Sequence, residues 1–143
     1  MLQGFIIVQL VNNINMRTLL IICFCSLGFI NLAQNRDVPF EKEYFKDKKD
    51  LLKDALRNIK EGDMIYELGF SVWPRAIEFY KKAYDFNPNN SLLNYKLGNC
   101  YLYSIHKSWS LDYFKKAYSL NPAVALDIHK KMGRALQLKY DFD

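Results

Sequence analysis

Two histidines and three cysteines are the residues of this chain best suited to hold a metal ion or to supply a nucleophile. A metal site needs several such ligands at short spacing, usually with carboxylates among them. Neither His106 nor His129 has a second histidine, a cysteine or a carboxylate at a ligand spacing beside it. Both read as turn or surface histidines, and no metal is expected. Cys100 lies two places after Gly98 in an apolar stretch, where a small buried side chain is the ordinary role of a cysteine. The chain carries no G-x-S-x-G elbow, no H-E-x-x-H pair, no glycine-rich phosphate loop and no convergent acid pair. These residues give no catalytic group and no cofactor, so binding is expected rather than catalysis.

The patterned residues belong instead to an internal repeat. Ala76–Pro88 (AIEFYKKAYDFNP) returns as Ser110–Pro122 (SLDYFKKAYSLNP) at a constant offset of 34 residues. Lys81, Lys82, Ala83, Tyr84, Asn87 and Pro88 recur unchanged, and most other positions are like-for-like swaps, such as Tyr80 for Phe114. Ahead of the second copy, Leu97-Gly98-x-x-Tyr101 sets a small residue and a large ring on a preceding helix. Gly98 and Ala117 remove bulk where paired helices cross. Tyr101 and Phe114 fill the space between units, and Pro122 ends the unit because it cannot continue a helix.

This period and the order Leu97-Gly98-x-x-Tyr101, Ser110, Phe114, Ala117, Pro122 resemble the tetratricopeptide (TPR) family. Asn94 stands where that family has a tryptophan. The first unit is looser: Gly62, Ala76, Tyr80, Ala83 and Pro88 keep register, but its inter-helix turn is two residues longer, with Gly69–Trp73 as its seat. A third unit opens with Met132-Gly133-x-x-Leu136. The resemblance implies an all-α helical-hairpin solenoid over residues 57–143, with two repeats and the first helix of a third. It also implies a concave groove lined by first helices. Asp63 and Tyr66 (with Ile59), Tyr95 and Asn99 (with Leu102), and Lys130 and Arg134 (with Gln137) would line it and bind a peptide or helix of a partner protein. The family members that clamp a terminal carboxylate have a Lys and an Asn where this chain has Ile59 and Asp63, and Asp63 would repel such a ligand. More loosely, the chain is similar to the N-terminal TPR region of Bacteroidota-type envelope proteins that continue into OmpA-like domains. That likeness suggests the alternative of a structural assembly module.

Helical periodicity gives five helices, about 41–68, 74–86, 91–104, 109–120 and 125–140, with Asn90 and Ser108 as N-caps of the third and fourth. Residues 34–56 form a polar lead-in and a capping helix, with residues 34–39 expected to be mobile. The last helix carries Leu136, Leu138, Tyr140 and Phe142 toward Asp143 without a following partner helix. An array of this kind covers its ends, so the sequence is expected to be a piece of a longer protein or to self-associate through that end.

Residues 1–33 carry Arg17 as their one charge, followed by the charge-free run Leu19–Ile30. That run is too short to span a bilayer and suits a signal peptide cut after Ala33, with Met16 as a second candidate start. Export to the periplasm or outer membrane follows as an expectation. If residues 1–33 are removed, Cys100 is left as the one cysteine, so no internal disulfide supports the fold. The chain has a net charge of +5, but its acidic and basic residues interleave, as in Asp47-Lys48-Lys49-Asp50. Nucleic-acid binders gather their cations into a patch, and none is expected as a partner here.

Overall fold

The structure, a computed structural model, describes residues 36–140. The expected signal peptide and Phe142 lie outside the described residues. Within them the chain folds into five α-helices and no strand: α1 (Lys49–Tyr66), α2 (Ile77–Phe86), α3 (Ser91–Leu102), α4 (Ser110–Leu120) and α5 (Ile128–Tyr140). Short 3-10 turns, Trp73–Ala76 and Lys107–Trp109, lead into α2 and α4. The all-α expectation holds. Packing is closest between α1 and α2 and between α3 and α4, and each pair then meets its neighbour in chain order. None of these helices is long and apolar enough to cross a membrane.

Two expectations about the lead-in fail. The first helix starts at Lys49, because Glu41–Lys48 bends through successive turns. That bend lays Phe45 on Phe86, with ring centroids 4.7 Å apart, beside Phe40, which a continuous helix would not have achieved. Residues 36–40 are anchored rather than mobile. Asp37 accepts hydrogen bonds from the Ser91 N–H (2.8 Å) and hydroxyl (2.6 Å) at the start of α3. Val38 donates its N–H to Asn89 O and takes hydrogen bonds at its carbonyl from the Asn87 and Asn90 amides. Asp37→Ala is expected to cost about 1–2 kcal/mol, the loss of charge-assisted bonds at a helix start. Urea melts measure this, and a variant that melts with the parent would show that the lead-in contributes nothing.

The repeated residues do repeated jobs. Asn87 and Asn121 each accept, at Oδ1, the N–H two residues on, from Asn89 (3.2 Å) and Ala123 (2.9 Å). The two Asn-Pro turns are therefore the same Asx turn. Asn94 is buried and ties α3 to the preceding turn by donating to Pro88 O and Asn90 O. Asn90 caps α3 as expected, accepting from the Leu93 N–H. Ser108 does not cap α4. It lies within the 3-10 turn, and Ser110 Oγ donates back to Lys107 O at 2.6 Å.

Ala76, Tyr80, Ala83 and Tyr101 are buried in a core shared by α1, α2 and α3, and Phe114 and Ala117 in a second shared by α3, α4 and α5. A Cβ on Gly62 would lie 2.5 Å from Tyr80 Cε1, and one on Gly98 would lie 2.6 Å from Phe114 Cδ1. The two glycines therefore hold space for the paired ring of their own unit. Gly133 does not share this role: it is exposed, and nothing lies within 4 Å of its Cβ position. The longer first turn runs through Glu67–Val72, and Gly69 takes φ +102°, a conformation that needs glycine.

Candidate functional site

The first helices of the three units, α1, α3 and α5, are joined side by side through polar and aromatic side chains. Lys96 Nζ donates to Asp63 Oδ1 at 2.6 Å, and the Asn99 amide donates to the Tyr66 hydroxyl at 2.9 Å. Tyr95 donates its hydroxyl to Asp127 Oδ1 at 2.6 Å. Asp63, Tyr66, Tyr95 and Asn99 thus lie in one network. Asn99 is fully buried, however, and its Oδ1 has no partner among the described residues. Leu102 belongs to the core, while Lys130 and Gln137 are exposed.

Asp63 is not a free negative charge. It accepts the Tyr80 hydroxyl at 2.6 Å as well as the Lys96 ammonium, so its repulsion of an anionic ligand is compensated locally. Ile59 packs against the core.

A wall of rings and cations borders this network. Trp73 stacks on Tyr66 with planes 1° apart and centroids 4.4 Å apart, and its indole N–H donates to Tyr66 O at 2.7 Å. Lys96 Nζ lies 5.9 Å from the Tyr66 ring centre, and Lys131 Nζ lies 5.5 Å from that of Trp73. Tyr103 meets Trp73 edge-on and carries the Arg134 guanidinium 5.3 Å from its ring centre. Arg134 also donates to the Tyr103 hydroxyl at 3.3 Å. Cations held over such faces gain about 0.5–1 kcal/mol at exposed sites and keep their hydrogen-bonding protons. Lys131 is 3.9 Å from Asp127 Oδ2, too far for a hydrogen bond, although 18% of its side chain is all that remains exposed.

Lys131, rather than Lys130, therefore takes the inward place on α5, because Lys131, Arg134 and Leu138 share one stripe of that helix, in line with Asp127 just before it. Trp73, Lys96, Tyr103, Asp127 and Lys131 were not anticipated as site residues. A signal did exist for two of them: Lys96 and Lys131 each stand two places before a repeat glycine.

Burial holds the site's hydroxyls in their protonated form. It raises Tyr66 and Tyr80 well above the usual phenol range, with the Asp63 hydrogen bond adding to the effect on Tyr80. Burial and then the bond to Asp127 raise Tyr95. Beneath them, burial pushes Cys100 up to about 12, and Tyr101 also to about 12. An unfolded chain releases these protons at lower pH than the folded one, so it binds fewer of them in alkali and stability falls as pH rises. The stabilising contribution of Cys100 and Tyr101 is complete below about pH 9 and is expected to be lost between there and about pH 12. Urea melts across that range check this, and a midpoint flat to pH 11 would contradict it.

No family model, no characterised protein and no solved structure matches this chain.

Proposed function

We propose that the chain is a TPR-type interaction scaffold and that the wall over α1, α3 and α5 binds a peptide or helix of a partner protein without catalysing a reaction. The observation that carries this reading is the distribution of charge on the wall. Its two carboxylates, Asp63 and Asp127, are already engaged by Tyr80, Lys96 and Tyr95. Lys131, in a loose ion pair with Asp127, and Arg134, which spends one N–H on Tyr103, lie over aromatic rings with further N–H groups to donate. Aromatic and arginine side chains set in this way are the residue types that dominate binding energies at interfaces. The repeat period of 34 and the shared Asx turns support the family reading. The charge-free run after Arg17 supports an exported protein of the cell envelope.

A second reading, an assembly module, is favoured by the apolar side chains Leu126, Leu136 and Tyr140, which are exposed at the α5 end. Two variants separate the readings. Reversing Lys131 and Arg134 to Glu should abolish partner capture from the native envelope fraction, and Leu136→Asp with Tyr140→Asp should leave it intact. The end-face variant should melt with the parent, and the charge-reversal variant should stay folded but melt lower, because it loses both cation–ring contacts and sets like charge beside Asp127. Capture that survives the charge reversal and fails in the end-face variant would transfer the function to assembly. N-terminal sequencing of the native protein tests export: a first residue near Gln34 is expected, and an intact Met1 or Met16 would refute it.

A further inference from the structure

The unit glycines are covered in two hairpins and bare on α5. Gly62 on α1 lies under the Tyr80 ring of α2, and Gly98 on α3 lies under the Phe114 ring of α4. In each case an added Cβ would overlap the ring. Asn94 and Tyr101, which share the Gly98 face of α3, are buried with it. Thirty-five residues on, His129, Gly133 and Leu136 repeat that face on α5, and Tyr140 extends it by one turn. Here all four are exposed, Leu136 by 43% and Tyr140 by 74%, with nothing within 4 Å of the Gly133 Cβ position. An exposed glycine inside a helix is a poorer choice than alanine and gains nothing in return. A ring lying on it would supply the return, as it does in the other two hairpins.

From this repeat geometry we infer that the exposed face of α5 docks a helix of a partner protein, one that sets an aromatic ring on Gly133 and carries acidic residues beside it. A helix supplies contacts at the matching three- and four-residue spacing, as α2 and α4 do. The ring follows from the two covered glycines, both closed by an aromatic side chain. The acidic borders follow from charge. Helix α5 carries Lys130, Lys131, Arg134 and Lys139 and no carboxylate, and Lys130 and Lys139 flank the exposed face. Asp127, just ahead of the helix, already accepts the Tyr95 hydroxyl. A second copy of this chain is a poorer occupant. It could offer Tyr140 as the ring, but it would set two helices of like charge face to face, which repulsion opposes. The inference rests on the assembly reading of this end, and the wall can hold its own partner whether or not it stands.

The probe is a designed amphipathic peptide of about 20 residues, long enough to form a helix, with one Phe on its apolar face and Glu along both borders. One control peptide has Leu in place of Phe, and another has Lys in place of Glu. Binding to the full chain is followed in a nitrogen–proton correlation spectrum. The Phe peptide should move the Gly133 and Leu136 signals saturably and leave the Trp73 indole signal, on the wall, in place. The Leu control should bind about fivefold more weakly, and the Lys control should not bind. Gly133→Ala is the decisive variant. It should melt at or above the parent yet weaken the Phe peptide about tenfold, because its methyl group takes the place of the ring. Equal binding of the Phe peptide and either control, or unchanged binding to Gly133→Ala, overturns the inference and leaves the assembly reading standing. A peptide that moves Trp73 instead of Gly133 overturns it in favour of the wall. A parent chain that sediments as a dimer, and a Leu136→Asp variant that does not, overturns it in favour of a second copy. No movement of Gly133 with any peptide overturns it outright.

Discussion

Gly98→Leu is expected to cost about 3 kcal/mol or more, the upper end of what overpacking a filled core causes. Even a methyl group at residue 98 would lie 2.6 Å from two atoms of the Phe114 ring. Phe114 is fully buried and packs beside Leu111, Ala117 and Tyr95, so the ring has nowhere to go. The pair should also behave non-additively: Phe114→Ala costs about 3–5 kcal/mol on its own, but it opens the space that the larger side chain introduced by Gly98→Leu would need. Gly133→Ala is the contrast. Nothing lies within 4 Å of its Cβ position, and alanine is the better helix former by about 1 kcal/mol, so this variant should be neutral or slightly stabilised. Urea melts of the variants decide the matter. A gain at Gly98 like that at Gly133 would mean that helix propensity alone, and not the close approach of Phe114, governs both positions.

Tyr80→Ala is expected to be as damaging, at about 3–5 kcal/mol. Its ring is fully buried, closes over Gly62 and meets Tyr66 edge-on at 6.2 Å. Its hydroxyl is the α2 group that reaches Asp63. Against a total stability of about 5–15 kcal/mol for a domain, a loss of this size takes much of what is available. Tyr80→Phe separates the two contributions. It keeps the ring and removes one hydrogen bond to a carboxylate, for about 1.5–3 kcal/mol. The loss should sit toward the lower end because Lys96 still holds Asp63. Thermal and urea melts of both variants measure the split. If Tyr80→Phe proved as harmful as Tyr80→Ala, the Asp63 bond and not the packed ring would be holding α1 to α2.

The places where sequence and structure part follow a pattern. Helix bounds shifted where a distant contact outweighed local preference. Phe45 reaches Phe86 by leaving the helix, and Asp37 leaves its own polar neighbourhood to cap Ser91, 54 residues on. The two tryptophans at similar turns ended in different surroundings: Tyr66 supplies a stacking face and a carbonyl to Trp73, whereas Trp109 stacks on His106 and stays half exposed. Among the candidate groove residues, those on α1 and α3 came together, while on α5 the inward lysine was the neighbour of the one expected.

The sequence by itself determined the all-helical class, the period of 34, the Asn-Pro turns and the identity of the core residues Tyr80, Tyr101, Phe114 and Ala117. These are legible because spacing along a helix maps directly onto its faces, and a repeat reports each face more than once. Only the tertiary structure decided that Asp63 is neutralised, that Lys131 rather than Lys130 faces Trp73, and that Trp109 borders an open cleft. Successive helical residues point about 100° apart, so a rotation of α5 by one position exchanges one lysine for the other. The packing of Ile128 and Ala135 into the core sets that rotation, through contacts between elements that no local spacing encodes.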